Sequence, residues 1–183
     1  MNKIQKNPKI PETYSDELID LVNDQDQVIS VIKRSNIPDY AQQGYTRVVL
    51  AFVINHENKI AILRRTADRL YSPLHLAIVG GGVQSGEDYD QAAKREIAEE
   101  VGINIEQYPF TCLGYLRPQE GWHDSRGHAF FKKIYQVTLD HSQIQFDQNE
   151  FCQLFWLTPQ EVLAKTKTDK VAHGLEWLLK NYY

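Results

Sequence analysis

The sequence predicts an α/β domain, a mixed β-sheet with helices packed on its faces and a β-hairpin ahead of it. Three observations lead there. Runs rich in β-branched and aromatic residues recur along the chain and outnumber the helical stretches. One helical stretch, residues 88–101, sits between strands, and two more, near 159–166 and 170–180, close the chain. At 183 residues, with 42% hydrophobic and 11% aromatic content, the chain is the size of one domain and can bury a core.

The elements follow in order. Residues 1–14 are polar, carry Pro8 and Pro11, and read as a loose lead-in to a single domain over 15–183. Leu18–Val22 and Val28–Ile32 flank the turn composition Asn23-Asp24-Gln25-Asp26, which predicts a hairpin within 15–35. Residues 36–44, with Pro38, read as a connection. Thr46–Ile54 and Lys59–Leu63 form a second strand pair around His56-Glu57-Asn58, and Leu76–Val79 is a short strand ending in Gly80-Gly81-Gly82. Strands return near 110–116, 129–138 and 155–157. Pro159 suits a first helical turn, with Thr158 as its cap.

The formal charge of −4 and the pI near 5.9 give no reason to expect a nucleic acid polymer or an anionic membrane as partner. The sequence has no apolar run of the roughly 18 residues a spanning helix needs, and Met1–Pro11 lacks the apolar core of a secretory signal. Cys112 and Cys152 stand apart, in no metal-binding spacing, and read as partly buried free thiols of a reducing compartment. A cytoplasmic protein is expected.

The stretch that carries chemistry is Gly81–Ile103. Asp88 with Gln91 three residues on forms a capping-box start, and Gly102 supplies the stop. Between them Ala93, Ile97 and Val101 make a narrow apolar seam. Glu96, Glu99 and Glu100 stand at i, i+3 and i+4, within about one third of the helix circumference. Like charges so arranged oppose the helix, the more so near its C-terminus. A hard divalent cation removes the conflict by binding carboxylate oxygens. Arg95, four residues before Glu99, is placed to brace that carboxylate, and Glu87 to pair with Arg95 or support the glycine loop.

The spacing is G-x5-E-x7-R-E-U-x-E-E-x-G-U, with U bulky and apolar. Gly81, Glu87, Arg95, Glu96, Ile97, Glu99, Glu100, Gly102 and Ile103 meet it at every fixed position. It resembles the box of the Nudix superfamily, here residues 81–103. The resemblance implies an α/β/α sandwich with a mixed sheet, the N-terminal hairpin being an extension. It also implies hydrolysis of a diphosphate compound by water, with Mg²⁺ (Mn²⁺ substituting) held by Glu96, Glu99, Glu100 and the carbonyl of Gly80, and with Glu87 and Arg95 in support. For the general base it leaves a box glutamate or one on a later loop; Glu150 is the candidate outside the box and Glu120 the runner-up.

Arg64, Arg65 and Arg117 end strands and carry the donor fork that suits phosphate oxygens. Residues 117–123 look like a specificity loop, in which Trp122 reads either as a base-stacking ring or as a packing aromatic. His75, His123 and His128 show no ligand spacing. The N-terminal hairpin and the Arg64-Arg65 segment are similar to the branch containing type I isopentenyl-diphosphate isomerase. That branch uses a cysteine before its glycine loop, where this chain has Val79 and Gly80, so hydrolysis is the expectation, with an isomerase-like enzyme or a non-catalytic nucleotide-sensing module of the same frame as the alternatives. The expected partner is a small-molecule diphosphate: a sugar nucleotide, a dinucleotide, a damaged nucleoside triphosphate or coenzyme A. The hairpin is a candidate surface for a homodimer.

Overall fold

The computed structural model describes residues 17–69, 71–122 and 128–183. The lead-in 1–14 and His123 therefore lie outside the described residues. The N-terminal hairpin is as expected: β1 (Leu18–Val22) pairs antiparallel with β2 (Val28–Lys33), Ile19 opposite Ile32. Ile19, Leu21 and Ile32 pack into a small cluster of their own, whereas Val28, Ile29 and Val31 stay half exposed. A 3₁₀ turn (Arg34–Asn36) follows the hairpin, and the connection expected over 36–44 contains one short helical segment, α1 (Ile37–Tyr40). Pro38 lies in the first turn of α1, where its missing N–H has no helical partner to lose.

Seven strands make the main sheet: β3 (Thr46–Ile54), β4 (Ile60–Arg65), β5 (Leu76–Ala77), β6 (Val79–Gly82), β7 (Phe110–Leu116), β8 (Phe130–Thr138) and β9 (Phe151–Leu157). β3 lies at its heart. One edge runs parallel to β8, which carries β7 beyond it. The other edge forks: β6 pairs with Val48–Ala51, while β4 meets β3 only at Ile54–Ile60 and then turns away to pair with β5 and β9. The single strand expected over 76–79 is thus two, because the chain crosses from β4 to β3 at Ile78. The glycines, expected to end that strand, form β6 itself.

The long apolar run of β3 is explained by burial on both faces. Val49, Ala51 and Val53 face one cluster, and Phe52 and Ile54 face the other. The first cluster holds α2 (Tyr89–Val101) through Ala92, Ala93, Ile97 and Val101. The second holds α3 (Pro159–Lys165) and α4 (Leu175–Tyr182) through Val162, Leu175, Leu178 and Leu179. The result is an α/β/α sandwich with a mixed sheet. The last helix starts later than its expected range. Val171 is still bridged to Leu76, and Gly174, at φ 91°, turns the chain into the helix.

Both expected N-caps are formed. Asp88 accepts from the Gln91 N–H at 2.8 Å while the Gln91 side chain accepts from the Asp88 N–H at 2.9 Å. Thr158 and Glu161 do the same for α3. Both cysteines correct the sequence expectation: Cys112 on β7 and Cys152 on β9 are exposed, because each lies on a strand paired along one edge only. Among the described residues no helix is long and apolar enough to cross a membrane. Replacing Asp88 with Ala should remove one half of the capping box and destabilise the fold by about 1 kcal/mol, read as a lowered urea midpoint at unchanged slope.

Candidate active site

The site is built where β6 delivers its glycines against the inner face of α2. Gly80 lies so close to β3 that a Cβ there would stand 2.3 Å from the Val49 carbonyl oxygen. A Cβ on Gly81 would meet Glu96, at 2.3 Å from Oε1 and 2.6 Å from Oε2. The absence of side chains on β6 is thus what lets a helical carboxylate lie flat on the strand.

The three glutamates divide. Glu96 and Glu100 are buried, at 8% and 5% exposure, and the Glu99 side chain is 59% exposed. Residues at i and i+4 share one helix face, turned here toward the sheet, whereas i+3 lies further round. Glu100 accepts from the Gly80 N–H at 3.0 Å. Arg95 is the hub for the rest. Its Nε donates to Glu87 at 2.7 Å, and one terminal nitrogen donates to Glu96 at 2.7 Å and to Glu99 at 3.2 Å. The other reaches the Gly82 carbonyl and Glu87, both at 2.9 Å. Glu87 also accepts from the Gln84 N–H, which ties the loop to the helix.

Burial pushes the Glu96 carboxyl up to about 7, against the pull of Arg95 and Arg34. Burial, reinforced by Glu96, pushes Glu100 well above the ordinary carboxylate range. Glu87 behaves oppositely: burial would raise it, but the hydrogen bonds from Arg95 and the Gln84 N–H hold it low. The buried pair therefore lacks positive charge. Among the described residues no three acidic, histidine or cysteine side chains converge to form a ready-made metal cage. Two buried carboxylates short of positive charge, with hard oxygen donors, nevertheless suit a hard divalent ion, and Arg95 is what holds Glu96 and Glu99 in the present geometry.

These groups line a cleft of about 590 Å³ whose walls carry five glutamates and four arginines. Gly80, Glu96, Glu99 and Glu100 lie on its floor side. Arg65, Arg69 and Tyr71 come from the end of β4 and the loop after it, and Glu150 from just before β9. Arg69 pairs with Glu150 at 3.0 Å. The hairpin supplies Glu17, Leu18 and Arg34, held there because the Ser85 N–H donates to the Leu18 carbonyl and Gln84 bonds Glu17.

Of the arginines expected at phosphate, Arg65 lines the cleft and the other two do not. Arg64 points to the opposite face of β4, where it bonds Asp169 at 2.7 Å and Gln153 at 2.9 Å. Arg117 has its N–H capped by Glu120 at 2.7 Å, so neither residue belongs to the cleft. His75 and His128 lie outside it too. Sequence reasoning missed Arg34 and Arg69. Arg69 had a faint signal, four residues past Arg65 in the same connection; Arg34 had none beyond its place at the end of the hairpin.

The model of the NUDIX domain family matches residues 44–178. The chain belongs to the Nudix family. An uncharacterised Nudix hydrolase of Nostoc sp. is 36% identical over 148 residues, which are 80% of this chain and 83% of that one. A Nudix hydrolase of Deinococcus radiodurans is 34% identical over 161 residues, 87% and 90% of the two chains. A crystal structure from Deinococcus radiodurans superposes with a TM-score of 0.79 at 29% identity, covering 91% of this chain and 99% of its own. This Nudix chain is an enzyme of the hydrolase class, and diphosphate linkages are what the class cleaves.

Two outcomes test the geometry of this Nudix site. Gly81→Ala should displace the Glu96 carboxylate and cut turnover by about 100-fold, while circular dichroism stays native. The second concerns pH. Glu96 titrates at 4.5 when unfolded and at about 7 when folded, so the native state binds the extra proton between those values. Its contribution to stability is fully present below about 4.5 and is lost as pH rises to about 7. Thermal unfolding across that window should show the decline, to which Glu100, also raised by burial, contributes, and Glu96→Gln should make it shallower. An equal slope in the variant would exclude Glu96 as its source.

Proposed function

We propose that this chain hydrolyses the diphosphate linkage of a nucleoside diphosphate joined to another moiety, or of a similar compound, in a Mg²⁺-dependent reaction. One observation carries the reading: a single cleft opposes buried carboxylates short of positive charge to arginines from two separate segments, Arg34 after the hairpin and Arg65 with Arg69 after β4. Such a cleft favours a cation and a polyanion together, and a metal-bound diphosphate is both.

Glu96, Glu99 and Glu100, with the Gly80 carbonyl, would hold Mg²⁺ (or Mn²⁺), which when bound supplies neutralisation of phosphate charge and acidification of water. Arg65, Arg69 and Arg34 orient the phosphate oxygens. Arg95 is a positioning residue: its donors are taken up by Glu87, Glu96, Glu99 and the Gly82 carbonyl, and so it sets the rotamers of Glu96 and Glu99. Glu150, oriented by Arg69, is the candidate to take the proton as the water oxygen bonds to phosphorus. The bridging P–O bond then breaks and the phosphorylated fragment leaves with the electron pair. Glu120 loses its place as runner-up, since it caps the Arg117 N–H outside the cleft. Neither cysteine lines the cleft, which favours hydrolysis over a thiol-dependent isomerisation.

Glu99→Gln is the cleanest test, because an exposed carboxylate can be changed without disturbing the core. On a panel of diphosphate compounds with Mg²⁺, wild type should turn over at least one, and the variant should be slower by about 100-fold or more. Equal rates would remove Glu99 from the mechanism.

A further inference from the structure

The base of the hairpin enters the catalytic cleft as a pair of opposite charges. Glu17 stands just before β1 and Arg34 just after β2, and the Arg34 N–H donates to the Glu17 carbonyl at 2.8 Å. Their side chains meet as well, Arg34 Nη1 donating to Glu17 Oε2 at 2.6 Å, and both residues line the cleft. The guanidinium lies along the glycine strand: a Cβ built on Gly82 would stand 3.8 Å from its Cζ. The Glu17 side chain is only 14% exposed, while 29% of the Arg34 side chain stays open to solvent. The carboxylate is the inner partner and the arginine the reachable one.

Glu17 is held on both oxygens. The second accepts from the Gln84 side chain at 3.0 Å, in the loop between β6 and α2. The Gln84 N–H in turn donates to Glu87, Arg95 grips Glu87, and Arg95 holds Glu96 and Glu99. Arg34 and the box glutamates are thus joined by one continuous run of hydrogen bonds, each between 2.6 and 3.2 Å. A guanidinium has five donors, so one bond to Glu17 does not exhaust it. On a loose stem the same arginine would lose rotamer freedom on meeting a phosphate, and the buried Glu96 and Glu100 would compete for it.

We propose that Glu17 is a positioning residue for substrate binding. It holds Arg34 at a fixed spacing from the box glutamates, so that the arginine meets oxygens of the same diphosphate whose metal those glutamates hold. The proposal rests on the reading of the cleft as a diphosphate site. Charge alone would give Glu17 the opposite effect, because a carboxylate in the cleft repels a bound phosphate and its removal would strengthen anion binding. A contact that served only the hairpin's fold would act alike whether or not Arg34 were present. The sign and the dependence on Arg34 therefore separate the three.

Calorimetric binding of methylenediphosphonate, a diphosphate whose carbon bridge water does not cleave, to the full chain with Mg²⁺ reads both without turnover. Arg34→Ala should weaken binding by about tenfold or more, the scale of a hydrogen bond between charged groups. Glu17→Gln keeps the shape and removes the ion pair; it should weaken binding by about fivefold, and by less than about twofold once Arg34 is already Ala. Gln84→Ala, which strips Glu17 of its second partner, should act in the same direction and with the same dependence on Arg34. Should Glu17→Gln not fold, Gln84→Ala in the two backgrounds decides. Unchanged or tighter binding by Glu17→Gln, an equal loss with and without Arg34, or an Arg34→Ala variant as tight as wild type would each overturn the proposal and leave the diphosphate reading standing. No binding of the probe by wild type would overturn it too, and turnover of the diphosphate panel then tells whether the catalytic reading survives.

Discussion

Two carboxylates held out of water against a strand of glycines set the terms for the rest of this structure. An ionised carboxylate is among the most expensive groups to bury, and here two lie on adjacent turns of one helix. One guanidinium and one backbone N–H offset part of that cost. The proton affinity of both groups is raised in consequence. That residue of unmet charge makes the cleft reactive, since any positive charge entering it, as a proton or a metal, is held strongly.

The scaffold is arranged to keep the pair in place. α2 is locked at its start by a reciprocal cap and along its length by Ala93, Ile97 and Val101 on the sheet. β6 is locked by antiparallel pairing to β3, the strand at the heart of the sheet, so the glycines cannot retreat from the helix. Even the hairpin, separate from the main sheet, contributes by stitching β1 to the loop after β6 and presenting Arg34. Its functional weight comes from that seam.

Much of this was legible in the sequence because it is local. Helix period, cap residues and the glutamate spacing of 88–102 are short-range patterns, and a chain cannot fold them otherwise without losing them. The division of labour among the glutamates was less legible. Their spacing puts all three within one sector, but only contact with the sheet decides that Glu96 and Glu100 go under while Glu99 stays in water. The arginines show the same limit. Arg64 and Arg65 alternate across a strand, and nothing local says which face meets the cleft; Asp169, far along the chain, claims Arg64. Glu17 was hidden for a related reason. An acidic residue ahead of a hairpin reads as solvent-facing, and its place in the cleft depends on Arg34 and Gln84, which only the folded chain brings to it.

The most direct check on the central claim is a Mn²⁺ titration followed by calorimetry in buffers of different ionisation enthalpy, at about pH 6.5. If the buried pair is the metal site, uptake must expel the proton that Glu96 holds near that pH, and the apparent heat will shift with the buffer. Uptake with no proton release, or none at all, would contradict the account.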